Sequence, residues 1–235
     1  ADDDLDLYVA SGGVESFAGS SDYSDRIYLN DGQGNLEKTG KLLPSTISSS
    51  SCVVAGDYDG DNDLDLFVGG RLLPDNYPTP SASYLLRNDG GKFTNVTAQM
   101  CEDLVKPGLI RSALWTDFNN DQLLDLVLVG EWTQVQFYKN TGSSFVKVIE
   151  DTGISQYFGW WNSIQGGDFD NDGDTDYIVG NLGLNSRYKA TVDKPILIYA
   201  LDLDENGSMD PIVFYHEGEK VFPIHARDEL IGRVI

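Results

Sequence analysis

The sequence predicts an all-β chain built from four-stranded antiparallel units, and three observations predict it. A nine-residue acidic pattern occurs four times, each copy runs into a short stretch of β-branched and aromatic residues, and a strand-turn-strand element recurs between copies. The copies are Asp57-Tyr-Asp59-Gly-Asp61-Asn-Asp63-Leu-Asp65, Asp117-Phe-Asn119-Asn-Asp121-Gln-Leu123-Leu-Asp125, Asp168-Phe-Asp170-Asn-Asp172-Gly-Asp174-Thr-Asp176 and Asp202-Leu-Asp204-Glu-Asn206-Gly-Ser208-Met-Asp210. Oxygen-bearing side chains stand at positions 1, 3, 5 and 9 of every copy. That spacing wraps a tight loop around one hard cation, and Ca²⁺, which takes about six to eight oxygens, fits it.

Taken in order, the first element is a broken copy. Asp2-Asp3-Asp4-Leu5-Asp6-Leu7-Tyr8-Val9 lines up with Asp61-Asn62-Asp63-Leu64-Asp65-Leu66-Phe67-Val68, so the chain is expected to begin inside a repeat, as a fragment of something longer. Ile27 to Gly32 then reads as a strand ending in a tight turn, with a shorter strand at Leu36. The same pair returns at Tyr84 to Gly90 with Phe93 to Val96, and at Val135 to Gly142 with Phe145 to Val148. The ninth aspartates open the remaining strands, Leu66 to Val68, Leu126 to Val129, Tyr177 to Val179 and Ile212 to Phe214, the first three ending near Gly69, Gly130 and Gly180. An EF-hand would instead need a bidentate Glu at position 12 and flanking helices, but Val68, Leu128, Val179 and Val213 stand there.

One repeat is therefore strand, calcium loop, strand, variable loop, strand, hairpin, strand. The ninth positions are separated by 59, 60, 51 and 34 residues. Units of that kind cannot bury both faces alone, and stacking them around an axis makes a β-propeller. The blades are expected at about residues 1–45 (partial), 46–104, 105–154 and 155–235, the last irregular and carrying the extra loop, so the propeller is expected to be incomplete. A β-helix of calcium-binding nonapeptides would need contiguous nine-residue copies, which are absent here.

Composition agrees with metal binding. Of the 38 acidic residues, 21 lie in the five copies, and they account for much of the net charge of −22. The 16 Lys and Arg form no basic stripe, which argues against nucleic acid, and no run of about 18 apolar residues offers a membrane span. Loops of this type are loaded where calcium is abundant, outside the cytosol. Cys52 and Cys101 flank one repeat as either a disulfide or two buried thiols. Asn95-Val-Thr97 and Asn206-Gly-Ser208 match the glycosylation acceptor pattern, although a glycan on Asn206 would oppose the fourth loop.

The loops and the Leu/Tyr-x-Asn-x-Gly-x-Phe hairpins resemble FG-GAP repeats, as in integrin α-subunit propellers, and more closely the bacterial VCBS repeats. Gly159-Trp160-Trp161-Asn162-Ser163-Ile164 and Gly180-Asn181-Leu182-Gly183-Leu184-Asn185-Ser186-Arg187-Tyr188 resemble large secreted or surface proteins of Bacteroidetes type. The resemblance implies a secreted or cell-surface propeller with its calcium loops on one face, joining the first two strands of each blade.

About four calcium sites are expected. Their ligands are Asp57, Asp59, Asp61, the Asp63 carbonyl and Asp65; Asp117, Asn119, Asp121, the Leu123 carbonyl and Asp125; Asp168, Asp170, Asp172, the Asp174 carbonyl and Asp176; and Asp202, Asp204, Asn206, the Ser208 carbonyl and Asp210. Position 6 must turn sharply, which suits Gly173, Gly207 and Asn62 but not Gln122, so the second loop is expected to be the weakest. The N-terminal copy, with only Asp2 and Asp6, is expected to be empty unless other residues complete it. The ions are read as structural, since four like charges would otherwise oppose the folded loop and no water-activating His accompanies them.

The opposite face is expected to gather Arg71, Tyr77, Arg111, Glu131, Trp132, Trp160, Trp161, Asn181, Asn185 and Arg187 on long loops. Aromatic rings beside Arg, Asn and Glu suit a glycan or a peptide, although Trp160 and Trp161 could instead pack between blades. The function read from this is a non-catalytic extracellular binding or adhesion module engaging glycan or protein. Its alternatives are part of a carbohydrate-active enzyme of the polysaccharide-lyase propeller type, or a structural spacer. Only His216 and His225 are present, and no nucleophile elbow or paired-acid motif appears.

Overall fold

The computed structural model describes residues 4–40, 42–149, 152–183 and 186–234. Its strands fall into antiparallel units set by the acidic repeat. The first unit holds β1 (Leu7–Val9), β2 (Arg26–Asn30) and β3 (Leu36–Thr39), in that order across the sheet. The second holds β4 (Ser50–Gly56), β5 (Asp65–Gly70), β6 (Tyr84–Asn88) and β7 (Phe93–Asn95), followed by the short helix α1 (Thr97–Met100). The third holds β8 (Leu109–Thr116), β9 (Asp125–Thr133), β10 (Gln136–Asn140) and β11 (Phe145–Val148), with β8 and β10 on either side of β9. The stretch expected to form one irregular blade divides into two strand groups, the first continuing the third unit's sheet through β9 and the second forming a sheet of its own. One is β12 (Gly159–Gly167) with β13 (Asp176–Asn181); the other is β14 (Leu197–Leu201), β15 (Asp210–Glu217) and β16 (Lys220–Pro223), ahead of α2 (Arg227–Val234). Each of the four acidic loops joins two adjacent antiparallel strands, and none of the described sheets closes on itself.

Strand alternation explains why the units stack. Successive side chains of a strand point to opposite faces. On β9, Leu126 and Leu128 enter a core with Phe67, Leu85, Ile110 and Tyr138, while Val127 and Val129 enter another with Val135, Phe137 and Ile164. Those four β9 side chains have no solvent exposure. On β5, Phe67 faces the third unit, whereas Leu66 and Val68 meet Leu86, Val53 and Tyr8 of the first. The central sheets are thus filled on both faces, each fully buried aliphatic side chain contributing about 1.5–3 kcal/mol.

The first strands of neighbouring units pack together, β4 on β8 and β8 on β12. Trp115 Nε1 donates to the Val54 carbonyl at 3.2 Å, and Ser51 Oγ donates to the Ile110 carbonyl at 2.5 Å. Gly130 does not end its strand as the sequence suggests. A Cβ there would stand 2.2 Å from the Leu109 carbonyl oxygen, so the glycine lets β8 cross close by while β9 continues to Thr133. Beyond that crossing, β12 pairs with the end of β9 through a bulge (Gly159 with Thr133, Trp160 with Glu131). Cys52 and Cys101 are free thiols packed against the core of the second and third units, and burial pushes the Cys52 thiol up to about 11.

Candidate metal centres

The four loops share one hydrogen-bond scheme. The carboxylate at position 1 accepts backbone N–H groups from positions 5 or 6 in every loop: Asn62 to Asp57 at 2.9 Å, Gln122 to Asp117 at 2.8 Å, Gly173 to Asp168 at 3.2 Å and Gly207 to Asp202 at 2.9 Å. Position 5 accepts the N–H of position 7, from Asp63, Leu123, Asp174 and Ser208, at 2.8–3.1 Å. Position 9 accepts the N–H of position 2, from Tyr58, Phe118, Phe169 and Leu203, at 2.9–3.2 Å. The chain is thereby wound so that side chains spaced by two converge.

The winding needs left-handed backbone twice per loop. Position 6 has positive φ in all four loops (Asn62 72°, Gln122 70°, Gly173 95°, Gly207 89°). Position 4 does as well, at Gly60, Asn120, Asn171 and Glu205, a requirement the sequence reading did not register. Gln122 carries the steric cost that glycine avoids, roughly 1–2 kcal/mol.

Carboxylates gather in three of the loops. One oxygen from each of Asp57, Asp59 and Asp61 lies within 4.8 Å of the others, and the same holds for Asp168, Asp170 and Asp176 and for Asp202, Asp204 and Asp210. Ligands of one calcium at about 2.4 Å can be no more than about 4.8 Å apart, so these oxygens fit a shared ion. The second loop forms no such triple among the described residues. Asn119, at position 3, turns its Nδ2 to Asp125 at 2.8 Å, and Lys139 Nζ holds Asp121 Oδ2 at 3.1 Å. Lys139 is a cation in that loop's neighbourhood that spacing alone could not reveal.

Electrostatics records the crowding. Burial, then the charges of Asp59 and Asp61, push Asp65 up to about 6, against the stabilising N–H groups of Asn88 and Tyr58. Asp59 is raised by burial and by Asp61, Asp125 mainly by burial, and Asp174 by its contact with Asp172. Asp121 goes the other way, lowered by the Lys139 ammonium.

A second set of residues that the sequence reading left unassigned ties each loop to its sheet. Asn30, Asn88 and Asn140 end β2, β6 and β10, the strands that lead into the hairpin of each of the first three units. Their backbone N–H groups donate to the ninth-position carboxylates of Asp6, Asp65 and Asp125 at 2.9, 2.8 and 2.7 Å. Their Nδ2 groups donate to the carbonyls of Leu5, Leu64 and Leu124, and their Oδ1 atoms accept N–H groups of Gly34, Gly91 and Gly142 in the hairpin. The signal was visible as a recurrent Asn before each hairpin glycine. Asp6 keeps this link, while Asp2 lies outside the described residues.

At the other ends of the same strands lies a polar and aromatic cluster. The Glu131 carboxylate is wholly buried; it accepts from Arg71 Nε at 2.8 Å and from the Tyr77 hydroxyl at 3.1 Å, and a terminal guanidinium nitrogen of Arg71 pairs with it at 2.8 Å. Arg111 stands 3.5 Å from the same carboxylate. Trp132 Nε1 donates to the Tyr77 hydroxyl at 2.5 Å, and its ring lies 5.3 Å from that of Trp160. Burial pushes the Tyr77 hydroxyl up to about 12, with the Glu131 charge adding to the shift. Six of the ten residues expected on this face are therefore in one network. Arg111, Glu131, Trp132, Trp160, Trp161 and Asn181 lie on strands rather than the expected loops: β9 and β13 run past Gly130 and Gly180, β12 begins at Gly159, and β8 includes Arg111. Trp161 packs into the core between the third unit and β12–β13, its Nε1 donating to the Thr133 carbonyl at 2.9 Å. Asn181 pairs with Trp161 across the ladder, Arg187 stacks on Tyr188 at 4.7 Å, and Asn185 lies outside the described residues.

The model of the FG-GAP-like repeat family matches residues 1–68 and 117–179, more than half of the chain. Both matched stretches end at the twelfth position of an acidic loop, Val68 and Val179. No curated protein matches the chain.

Proposed function

This chain belongs to the FG-GAP-like repeat family, and on that footing we propose that it is a calcium-stapled, non-catalytic binding module acting outside the cell or at its surface. The stacked sheets are blades of a β-propeller whose acidic loops lie on one face. A glycan or an extracellular protein is engaged through the other. The observation that carries this reading is the convergence of three carboxylates within 4.8 Å in each of three loops, wound by identical hydrogen bonds. Such a cluster repels itself when empty and is held together when an ion neutralises it. Asp57, Asp59, Asp61 and Asp65 would hold the first ion, Asp168, Asp170, Asp172 and Asp176 the third, and Asp202, Asp204, Asn206 and Asp210 the fourth. Asp117, Asn119, Asp121 and Asp125 form the weakest site. Carbonyls of Asp63, Leu123, Asp174 and Ser208 complete the sets. The ion supplies cohesion, calcium being a weak Lewis acid beside zinc. Among the described residues no helix is long and apolar enough to cross a membrane.

Thermal melting in calcium and in EDTA, with metal analysis, tests this. At a free calcium of a hundred times Kd, each ion contributes about 2.7 kcal/mol. For a chain of this size that is roughly 5–11 °C per site. The expected result is about four ions per chain and a large fall in Tm on chelation. An unchanged melt with no bound calcium overturns the assignment.

A further inference from the structure

We infer that the strand ends opposite the acidic loops bind an acidic saccharide, with Arg111 and the free edge of Arg71 taking its carboxylate and Trp132 with Trp160 taking the sugar ring. The inference rests on the reading that this face binds the partner, and it names the partner's chemistry.

The argument starts from a surplus cation. Glu131 is completely buried, and a buried carboxylate needs compensation. Arg71 supplies it with an Nε hydrogen bond at 2.8 Å and an ion-pair contact at 2.8 Å from a terminal nitrogen, and Tyr77 adds a hydrogen bond at 3.1 Å. Arg111 is not needed for that purpose. Among the described residues its partner is the same Glu131 oxygen at 3.5 Å, beyond a good hydrogen bond, and its side chain is 34% exposed. Arg71 is 32% exposed and donates one hydrogen bond to Glu131, through Nε, out of its five N–H groups. Two guanidiniums meeting at one carboxylate leave one net positive charge and a set of unspent planar donors at a solvent boundary. A second carboxylate bridging them is what that arrangement accepts.

The neighbouring aromatics give the ligand its shape. The Trp132 ring is fixed by its bond to Tyr77 and by the Trp160 ring at 5.3 Å, and both indoles remain partly exposed. An indole face beside a carboxylate clamp suits a pyranose ring bearing an acid group better than a flexible acidic side chain. The backbone is bent to build this corner. Trp132 has φ of 58°, a region that bulky residues avoid, and the β9–β12 pairing is bulged beside it. Strain of that kind persists where the surroundings hold it, and it concentrates at binding sites.

The chain's net charge of −22 does not forbid an anionic ligand. Six residues of extended strand separate Asp125 from Glu131, about 20 Å, which is roughly two Debye lengths at physiological salt. The acidic loops are therefore screened from this corner.

The test is isothermal titration of the full chain, saturated with calcium, with hexasaccharides of hyaluronan, glucuronan and mannuronan, their methyl esters, neutral chitohexaose, and a glutamate hexapeptide. At least one acidic hexasaccharide is expected to bind, with its methyl ester at least tenfold weaker. Arg111→Gln is expected to weaken that binding at least tenfold and Arg111→Lys less. Tm should stay within about 2–4 °C, the equivalent of one modest contact. Equal affinity for acid and ester, undiminished binding by Arg111→Gln, or absence of binding to all three acids overturns the inference. If chitohexaose or the glutamate peptide binds better than every acidic sugar and Trp160→Ala abolishes it, the acidic-saccharide class falls while the binding face stands. If an acidic sugar binds but is lost on Asp57→Asn and not on Arg111→Gln, both fall.

Discussion

Replacing Asn140 with alanine tests how the acidic loops and the sheets are joined. Asn140 is 1% exposed, and its side chain makes three hydrogen bonds. Nδ2 donates to the Leu124 carbonyl at 3.1 Å and to the Tyr58 carbonyl of the second unit at 2.8 Å, while Oδ1 accepts the Gly142 N–H at 2.9 Å. Alanine removes all three and leaves the Tyr58 carbonyl without this donor at the junction of two units. At about 1 kcal/mol net for each bond, the loss is about 3 kcal/mol. That corresponds to a fall in Tm of about 6–12 °C for a chain of this length. Asn88 is the control. It makes the equivalent bonds to Leu64 and Gly91 but, among the described residues, none to a neighbouring unit, and it is more exposed, so water can replace what is lost. Asn88→Ala should cost about 1 kcal/mol, or 2–4 °C. Both variants are melted at one fixed, saturating calcium concentration, since ligand level moves Tm by itself. Equal shifts for the two variants would refute the claim that Asn140 bridges units.

Three further outcomes are expected. Chelation should lower Tm and release the calcium measured by metal analysis, as set out above. Lys139→Gln should tighten calcium at the second loop several-fold in calorimetry, because the ammonium 3.1 Å from Asp121 competes with the ion; both side chains are partly exposed, which keeps the effect modest, and unchanged affinity would remove Lys139 from the account. In EDTA, Tm should rise as pH falls from 7 towards 5. Asp65 is raised to about 6 from its ordinary 3.8, so the folded chain holds that proton more tightly than the unfolded one, and the stability it brings is full below 3.8 and lost as pH rises through about 6. Asp59 and Asp125 shift in the same direction. With calcium present the slope should reverse, since protons then compete with the ion; parallel profiles with and without calcium would contradict this.

The parts legible in the sequence are those with a fixed period. The 1, 3, 5, 9 spacing located the loops because alternate side chains of a wound loop converge, and the β-branched runs after each ninth aspartate located the strands that carry Phe67 and Val127. Position 6 was legible at Gly173 and Gly207, whereas Gln122 adopts the same φ with no compositional sign of it. What escaped depends on approach between distant segments. Lys139 reaches Asp121 across a sheet, and β9 overruns Gly130 because the Leu109 carbonyl passes within 2.2 Å of where a Cβ would stand. Residue types placed Arg71, Tyr77, Glu131 and Trp132 on one face, but only the three-dimensional arrangement separates Trp160 in that cluster from Trp161 in the core.

The ninth aspartate shows how one sequence device can serve both the proposed metal site and the fold. Its two oxygens face two tasks. In the second and third units one accepts the N–H of position 2 and closes the loop, while the other accepts the N–H of the asparagine ending the third strand. There Asp65 and Asp125 are fully buried. Asp176 and Asp210 retain the first bond, among the described residues no asparagine N–H donates to them, and both stay partly exposed. On the proposed function, an ion drawn to the loop would organise the same carboxylate that anchors the third strand, so that loading and sheet assembly would reinforce one another where the asparagine is present. The coupling acts at the loop end of each strand, about 20 Å from Glu131 on β9. That distance leaves the far ends free to differ from unit to unit, which is where Arg71, Arg111 and Trp132 come together.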